Sequence, residues 1–141
     1  MNEVLKCLCE RRSCRSYRPE QVKEDTLRRI LEAGTYAASG MGKQSARIVV
    51  VQDPQDIATL ERMNAAVMGT PEAHPFYGAP TVCVVLADAA MHTAVDDGSL
   101  VLGNLMLPAW SLGVGHCILG YPAGKFPPAA PRKADFVTRV G

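Results

Sequence analysis

Net charge is nearly absent from this 141-residue chain, in which 15 Lys and Arg stand against 14 Asp and Glu. That balance withholds the broad positive field on which nonspecific nucleic-acid binding depends. Paired CxxC motifs are missing too. The five cysteines, Cys7, Cys9, Cys14, Cys83 and Cys117, suit reduced thiols better than a disulfide framework, and no metal site is expected. No secretory h-region is expected either, since Glu10, Arg11 and Arg12 arrive before any long apolar stretch, which favours the cytoplasm. There is no internal repeat, and the one biased segment, rich in Pro and Ala from Phe126 to Pro131, reads as an extended arm. From Gly98 to Gly124 there is no Asp, Glu, Lys or Arg, a length that by itself would suit a membrane span. Gly103, Asn104, Pro108, Gly113, Gly115 and His116 interrupt it, so it divides into a buried helix from about Asp96 to Leu112 and a short strand. A helix apolar all round belongs in a core or at a subunit interface, and no membrane is expected.

What is present suits one globular domain over residues 1–141: 48% hydrophobic and 21% charged residues. Pro19 to Gly34 reads as an amphipathic helix, with Leu27, Ile30, Leu31 and Gly34 on one face. Residues 39–42, Ser-Gly-Met-Gly, then break regular structure. Arg47 to Gln52 is a continuous β-branched run suited to a strand covered on both faces. Asp53-Pro54 can start a helix with Ile57, Leu60, Asn64 and Val67 at helical spacing. Thr81 to Leu86 reads as a second strand, His116 to Leu119 as a third.

Arg11, Arg12 and Arg15, interleaved with Ser13, supply the guanidinium forks and hydroxyl that suit a phosphate or an anionic ring edge. A solvated basic helix end is the bland alternative. Cys14 among the arginines is a secondary candidate for a reactive thiol. Asp96-Asp97 is no carboxylate pair, because adjacent helical positions point apart, and a capping or solvated role suits them. His74, His92 and His116 are too scattered for a ligand or catalytic set.

Glu10 to Val22 resembles the opening of the nitroreductase family, Arg-Arg-Ser-x-Arg-x-Tyr/Phe followed by a Val and a helix ending in Ala-Gly, here Ala33-Gly34. Ala37-Ala38-Ser39-Gly40-Met41-Gly42-Lys43-Gln44 is similar to the next signature, with Ala38 in place of Pro and Gly42 in place of Asn. Met63-Asn64-Ala65-Ala66, the Pro75 to Pro80 run, Asp97-Gly98-Ser99 with Gly103-Asn104-Leu105, Leu119-Gly120-Tyr121-Pro122 and Pro131-Arg132-Lys133 follow in order. The resemblance implies an α+β fold: a mixed, mainly antiparallel sheet flanked by helices, with a central buried helix at a dimer interface. It implies FMN, with phosphate and ribityl chain toward Arg11, Arg12, Ser13 and Arg132, and with Arg15 and Asn64 at the polar edge of the ring. A fixed cation there stabilises the charge of the reduced ring and raises its potential, so Arg15 is the expected electrostatic stabiliser and no side chain is expected as a catalyst. In the implied homodimer, Ala38, Ser39, Gly40 and Met41, with Asp97, reach the flavin of the partner.

The resemblance further implies ping-pong transfer of hydride from NAD(P)H to a small acceptor such as a nitroaromatic or quinone. One departure stands out. Leu112-Gly113-Val114-Gly115 runs straight into His116-Cys117-Ile118-Leu119, without the strand and helix that separate such runs in the family and that give contacts to flavin N5 and one wall of the substrate pocket. A silent flavin- or nucleotide-binding module, or a truncated remnant, is therefore the competing expectation, and a phosphate-binding regulatory domain a third.

Overall fold

The computed structural model describes residues 1–115, 118–126, 128–133 and 136–139. Helix α1 (Glu3–Glu10) leads to α2 (Glu24–Thr35), a short 3-10 turn (Gly40–Gly42), strand β1 (Ala46–Val51), α3 (Pro54–Val67), β2 (Thr81–Ala87), α4 (Ala94–Ser111) and β3 (Ile118–Leu119). The three strands lie in the order β1-β2-β3, each pair antiparallel, with Ala46 opposite Ala87 and Thr81 opposite Leu119. Helices on an antiparallel sheet make this an α+β fold, as expected, with no parallel pair among the described strands.

The core lies where α2 and α4 cross the sheet. Leu27, Ile30, Val101, Leu105, Ala109, Cys83 and Leu119 are buried there, joined by Val22 and Val114. Each large aliphatic side chain removed from water stabilises by about 1.5–3 kcal/mol before chain entropy is counted. On α4 the buried positions, Asp97, Val101, Leu105 and Ala109, recur every four residues, one face of a helix. Exposed apolar positions are confined to the first part of the helix, Val95 (81%) and Leu100 (48%), while residues 101–110 are all buried or half-buried. Pro108, three residues before the end of α4 at Ser111, withdraws a donor, while its carbonyl accepts from Leu112 N and Ser111 Oγ, both at 3.0 Å. Asn104 Nδ2 donates to Ala33 O (3.0 Å) and ties α4 to the end of α2.

Several expectations change. The α2 helix begins at Glu24, not Pro19. Gln21 instead donates to Pro80 O (3.0 Å) and accepts from Val22 N (2.9 Å), so tertiary bonds hold residues 19–23 outside the helix. Strand β1 is not covered on both faces: Arg47 and Val49 are exposed while Ile48 and Val50 turn inward onto the core, as in an antiparallel strand packed on one face. In α3 the Asp53 carboxylate caps the first turn as expected, but Asn64 is exposed and Val67 89% exposed, with only Ala65 buried. Helix α1, which the periodicity does not announce, is capped by Asn2 and has no buried residue. Of the third strand, Ile118 and Leu119 pair with β2, and His116 and Cys117 lie outside the described residues.

Candidate functional site

The arginine segment starts where α1 ends. Arg12 Nη1 donates to Cys9 O (2.9 Å) and Arg11 O (2.8 Å), a cation on the orphan carbonyls of a helix C-terminus. The chain then runs extended against the segment after β3. Arg18 N donates to Tyr121 O (2.8 Å), Ala123 N to Ser16 O (3.1 Å), and Arg18 Nε to Pro122 O (3.2 Å). Tyr17 is buried between them, its ring so close to Gly115 and Gly120 that a Cβ at Gly115 would lie 2.7 Å from the Tyr17 hydroxyl.

This clasp sets Ser13, Cys14, Arg15 and Ser16 against Pro122, Gly124, Lys125 and Phe126 around a cavity of about 250 Å³. Trp110 of α4 supports it from behind through an edge-on contact with Phe126, ring centres 4.7 Å apart. Ser13, Arg15 and Lys125 are exposed, and among the described residues no ion pair engages either cation. The Cys14 thiol is buried and donates to Ser16 O (3.2 Å), an interior role rather than a reactive one. A set of hydroxyls and cations suits an anion. The volume is below the roughly 300–1,000 Å³ of sites that enclose a drug-sized ligand, so it suits a phosphate-sized end with the remainder outside.

The second candidate segment lies elsewhere. Ala38 and Ser39, with Asp97, line an open cleft of about 800 Å³ between α2 and β1, floored by Leu31, Ile48, Val50 and Val101. The two cavities share no lining residue. The loop from Ser39 is unusual in its backbone: Met41 (φ 53°), Gly42 (φ 65°) and Gln44 (φ 49°) are all left-handed, a conformation costly for the two that carry a Cβ. Met41 is 74% exposed. Asp97 is 2% exposed, and its carboxylate accepts from Gly40 N (2.9 Å), Ser45 Oγ (2.6 Å) and Thr93 Oγ1 (3.3 Å). The Ser45 bond, then the Gly40 bond, hold its pKa below the ordinary carboxylate value, with smaller help from Thr93 and His92 and against the pull of burial. Asn64 is exposed on α3 and Arg132 on the C-terminal arm, and neither lines either of these two cavities.

Of the candidates, one chain thus brings Ser13 and Arg15 together, with Arg11 and Arg12 leading in, and separately gathers Ala38, Ser39, Gly40 and Asp97. Lys125, Ser45 and Thr93 were missed by sequence reasoning. Lys125 alone left a signal, as the first charge after the uncharged run. Among the described residues no group of His, Cys, Asp and Glu could hold a metal, and no helix is long and apolar enough to cross a membrane.

Known proteins agree with this architecture. The nitroreductase family model matches residues 8–126, and the chain belongs to that family. It is 34% identical over 133 residues to an NADH dehydrogenase of Thermus thermophilus, covering 79% of this chain and 62% of the relative. It is 28% identical to an FMN reductase [NAD(P)H] of Bacillus subtilis, covering 88% of this chain and 56% of that protein. The chain thus spans about three fifths of the length of these curated relatives. An FMN-bound nitroreductase from Bacteroides fragilis superposes with a TM-score of 0.89 at 26% identity, covering 100% of both chains.

Proposed function

We propose that this chain is an FMN-dependent oxidoreductase that draws electrons from NAD(P)H and delivers them to a nitroaromatic, quinone or similar small acceptor in a ping-pong cycle. The observation that carries the reading is the cation pocket of Ser13, Arg15 and Lys125, free of ion pairs among the described residues and built on the family's arginine motif. Arg11, Arg12, Ser13 and Lys125 would take the phosphate end, joined by Arg132 from the arm, while Arg15 and Asn64 turn to the polar edge of the ring. FMN, when bound, supplies the hydride-accepting and electron-donating chemistry. Arg15 fixes a positive charge where reduction leaves a negative one, so the reduced state gains more than the oxidised. No side-chain nucleophile is needed.

We read the working form as a homodimer in the cytoplasm, with the Ala38 to Met41 loop of each copy turned to the partner's flavin. Support comes from the separation of the two cavities in one chain, from the exposed Val95 and Leu100 on the first part of α4, and from the free thiols Cys7, Cys9, Cys14 and Cys83. The reading takes 1–141 as a single domain in which Gly115 runs into His116 without the intervening strand and helix of the family. The small volume of the basic cavity and that join favour one alternative, a silent flavin-binding module. Titration with FMN and with riboflavin, followed by NADH and NADPH oxidation with a quinone, separates the two. FMN held more tightly than riboflavin, with turnover, supports the enzyme. FMN binding without turnover selects the silent module, and no flavin binding sinks both.

A further inference from the structure

The loop carrying Ser39 and Met41 holds a conformation that its own residues do not favour, so something outside it must hold it there. Inside the loop there is one side-chain bond, Gln44 N donating to Ser39 Oγ (2.9 Å). Two turn bonds, Gly42 N to Ser39 O (3.0 Å) and Lys43 N to Gly40 O (3.1 Å), and Asp88 N donating to Ser45 O (3.2 Å) add backbone ties, and the side-chain ties from outside converge on a single group. Gly40 N at the start of the loop and Ser45 Oγ at its end donate to the two oxygens of the same Asp97 carboxylate, which also accepts from Thr93 Oγ1. Gly40 packs so tightly on Thr93 that an added Cβ would lie 2.8 Å from Thr93 Cγ2. The carboxylate is shut off from solvent and sits on the first turn of α4, whose next buried positions, Val101 and Leu105, are part of the core. The loop is thereby referenced to the helix that carries the core.

We propose that Asp97 is a positioning residue: its carboxylate pins both ends of the Ser39–Ser45 loop on α4, so that the strained turn presents Met41 outward for the flavin site. The inference rests on the functional reading above. It gives Asp97 a role without direct contact with the flavin, since both carboxylate oxygens are already engaged by the loop and Thr93. Losing a carboxylate that two backbone segments share opens the loop locally while the α2–α4 core stays closed.

The test uses the full chain and two readouts. Limited trypsin digestion without flavin reports loop opening through cleavage after Lys43, and FMN fluorescence quenching reports affinity. For Asp97→Ala, cleavage is expected to rise and FMN affinity to fall by more than about tenfold each, since one charge-assisted hydrogen bond is worth about tenfold and this carboxylate accepts from Gly40, Ser45 and Thr93 together. Ser45→Ala, which leaves the carboxylate and the Gly40 bond, is expected to shift both in the same direction by a smaller factor and keeps the test alive if the first variant does not fold. Unchanged cleavage in both variants overturns the clamp. Faster cleavage with unchanged FMN affinity overturns the positioning role. A wild-type chain that binds no FMN overturns the functional reading, and this role with it, whatever the digestion shows.

Discussion

Gly34 sits where α2 packs against both Leu105 of α4 and Ile48 of β1, and a methyl group added there probes the packing beneath the site. Helix propensity alone favours Gly34→Ala by up to about 1 kcal/mol. The space does not: the new Cβ would lie 2.7 Å from Leu105 Cδ2 and 2.8 Å from Ile48 Cδ1. Over-packing of that kind costs about 1–3 kcal/mol, so the substitution is expected to destabilise by up to about 2 kcal/mol. Leu105 is 0% exposed. Leu105→Ala alone is expected to cost about 2–5 kcal/mol through the cavity it leaves. In the double variant the Leu105 contacts vanish, only the terminal methyl of Ile48 has to turn aside, and the added methyl occupies part of the cavity. Gly34→Ala then becomes neutral or stabilising, a favourable coupling of about 1–3 kcal/mol. Urea unfolding of the four proteins at one protein concentration, with m-values compared, measures it. If Gly34→Ala shifts stability equally in both backgrounds, to within about 0.5 kcal/mol, the packing account is wrong.

Gly115→Ala pushes the Tyr17 ring from its seat and is expected to lower the thermal midpoint and weaken FMN binding, because Tyr17 bridges to Pro122 beside the basic cavity; FMN affinity equal to wild type would separate the two. Arg15→Gln is expected to lower the flavin midpoint potential by about 30–60 mV, the loss of one charge-assisted interaction spread over two electrons; an unchanged potential measured by dye equilibration refutes its role at the ring. The folded pKa of Asp97 is lowered by its bonds from Ser45 and Gly40, so its contribution to stability is present above the ordinary value of 3.8 and lost as pH falls through the lowered one. Wild type is therefore expected to exceed Asp97→Asn in stability at neutral pH, with the gap closing below about pH 4 in pH-resolved unfolding. Asp25, lowered by an exposed bond from Arg28, serves as the control, since salt screens a surface pair and Asp25→Asn is expected to change little.

Local pattern and motif order were legible in the chain itself. The Asp53-Pro54 helix start, strand β2 and the amphipathic face of α2 follow from capping and periodicity, which neighbouring residues dictate. The family, and with it an α+β architecture, followed from ordered motifs along the chain. What folding decided concerns residues far apart in sequence. Gln21 held α2 back to Glu24 by bonding Pro80, and β1 has one open face because the core packs on its Ile48 and Val50 side alone. Lys125 joined Ser13 and Arg15 only because Ser16 and Arg18 pair with residues 121–123. Asp97 was by pattern one of two solvated or capping acids and by resemblance a residue at the partner's flavin, and only the fold brought Gly40 and Ser45 to its carboxylate. Composition and spacing determine which segments become helices, strands and anion-seeking turns, since those depend on neighbours. Which buried oxygen serves which distant donor is set by three-dimensional closure, and only the tertiary structure decided it.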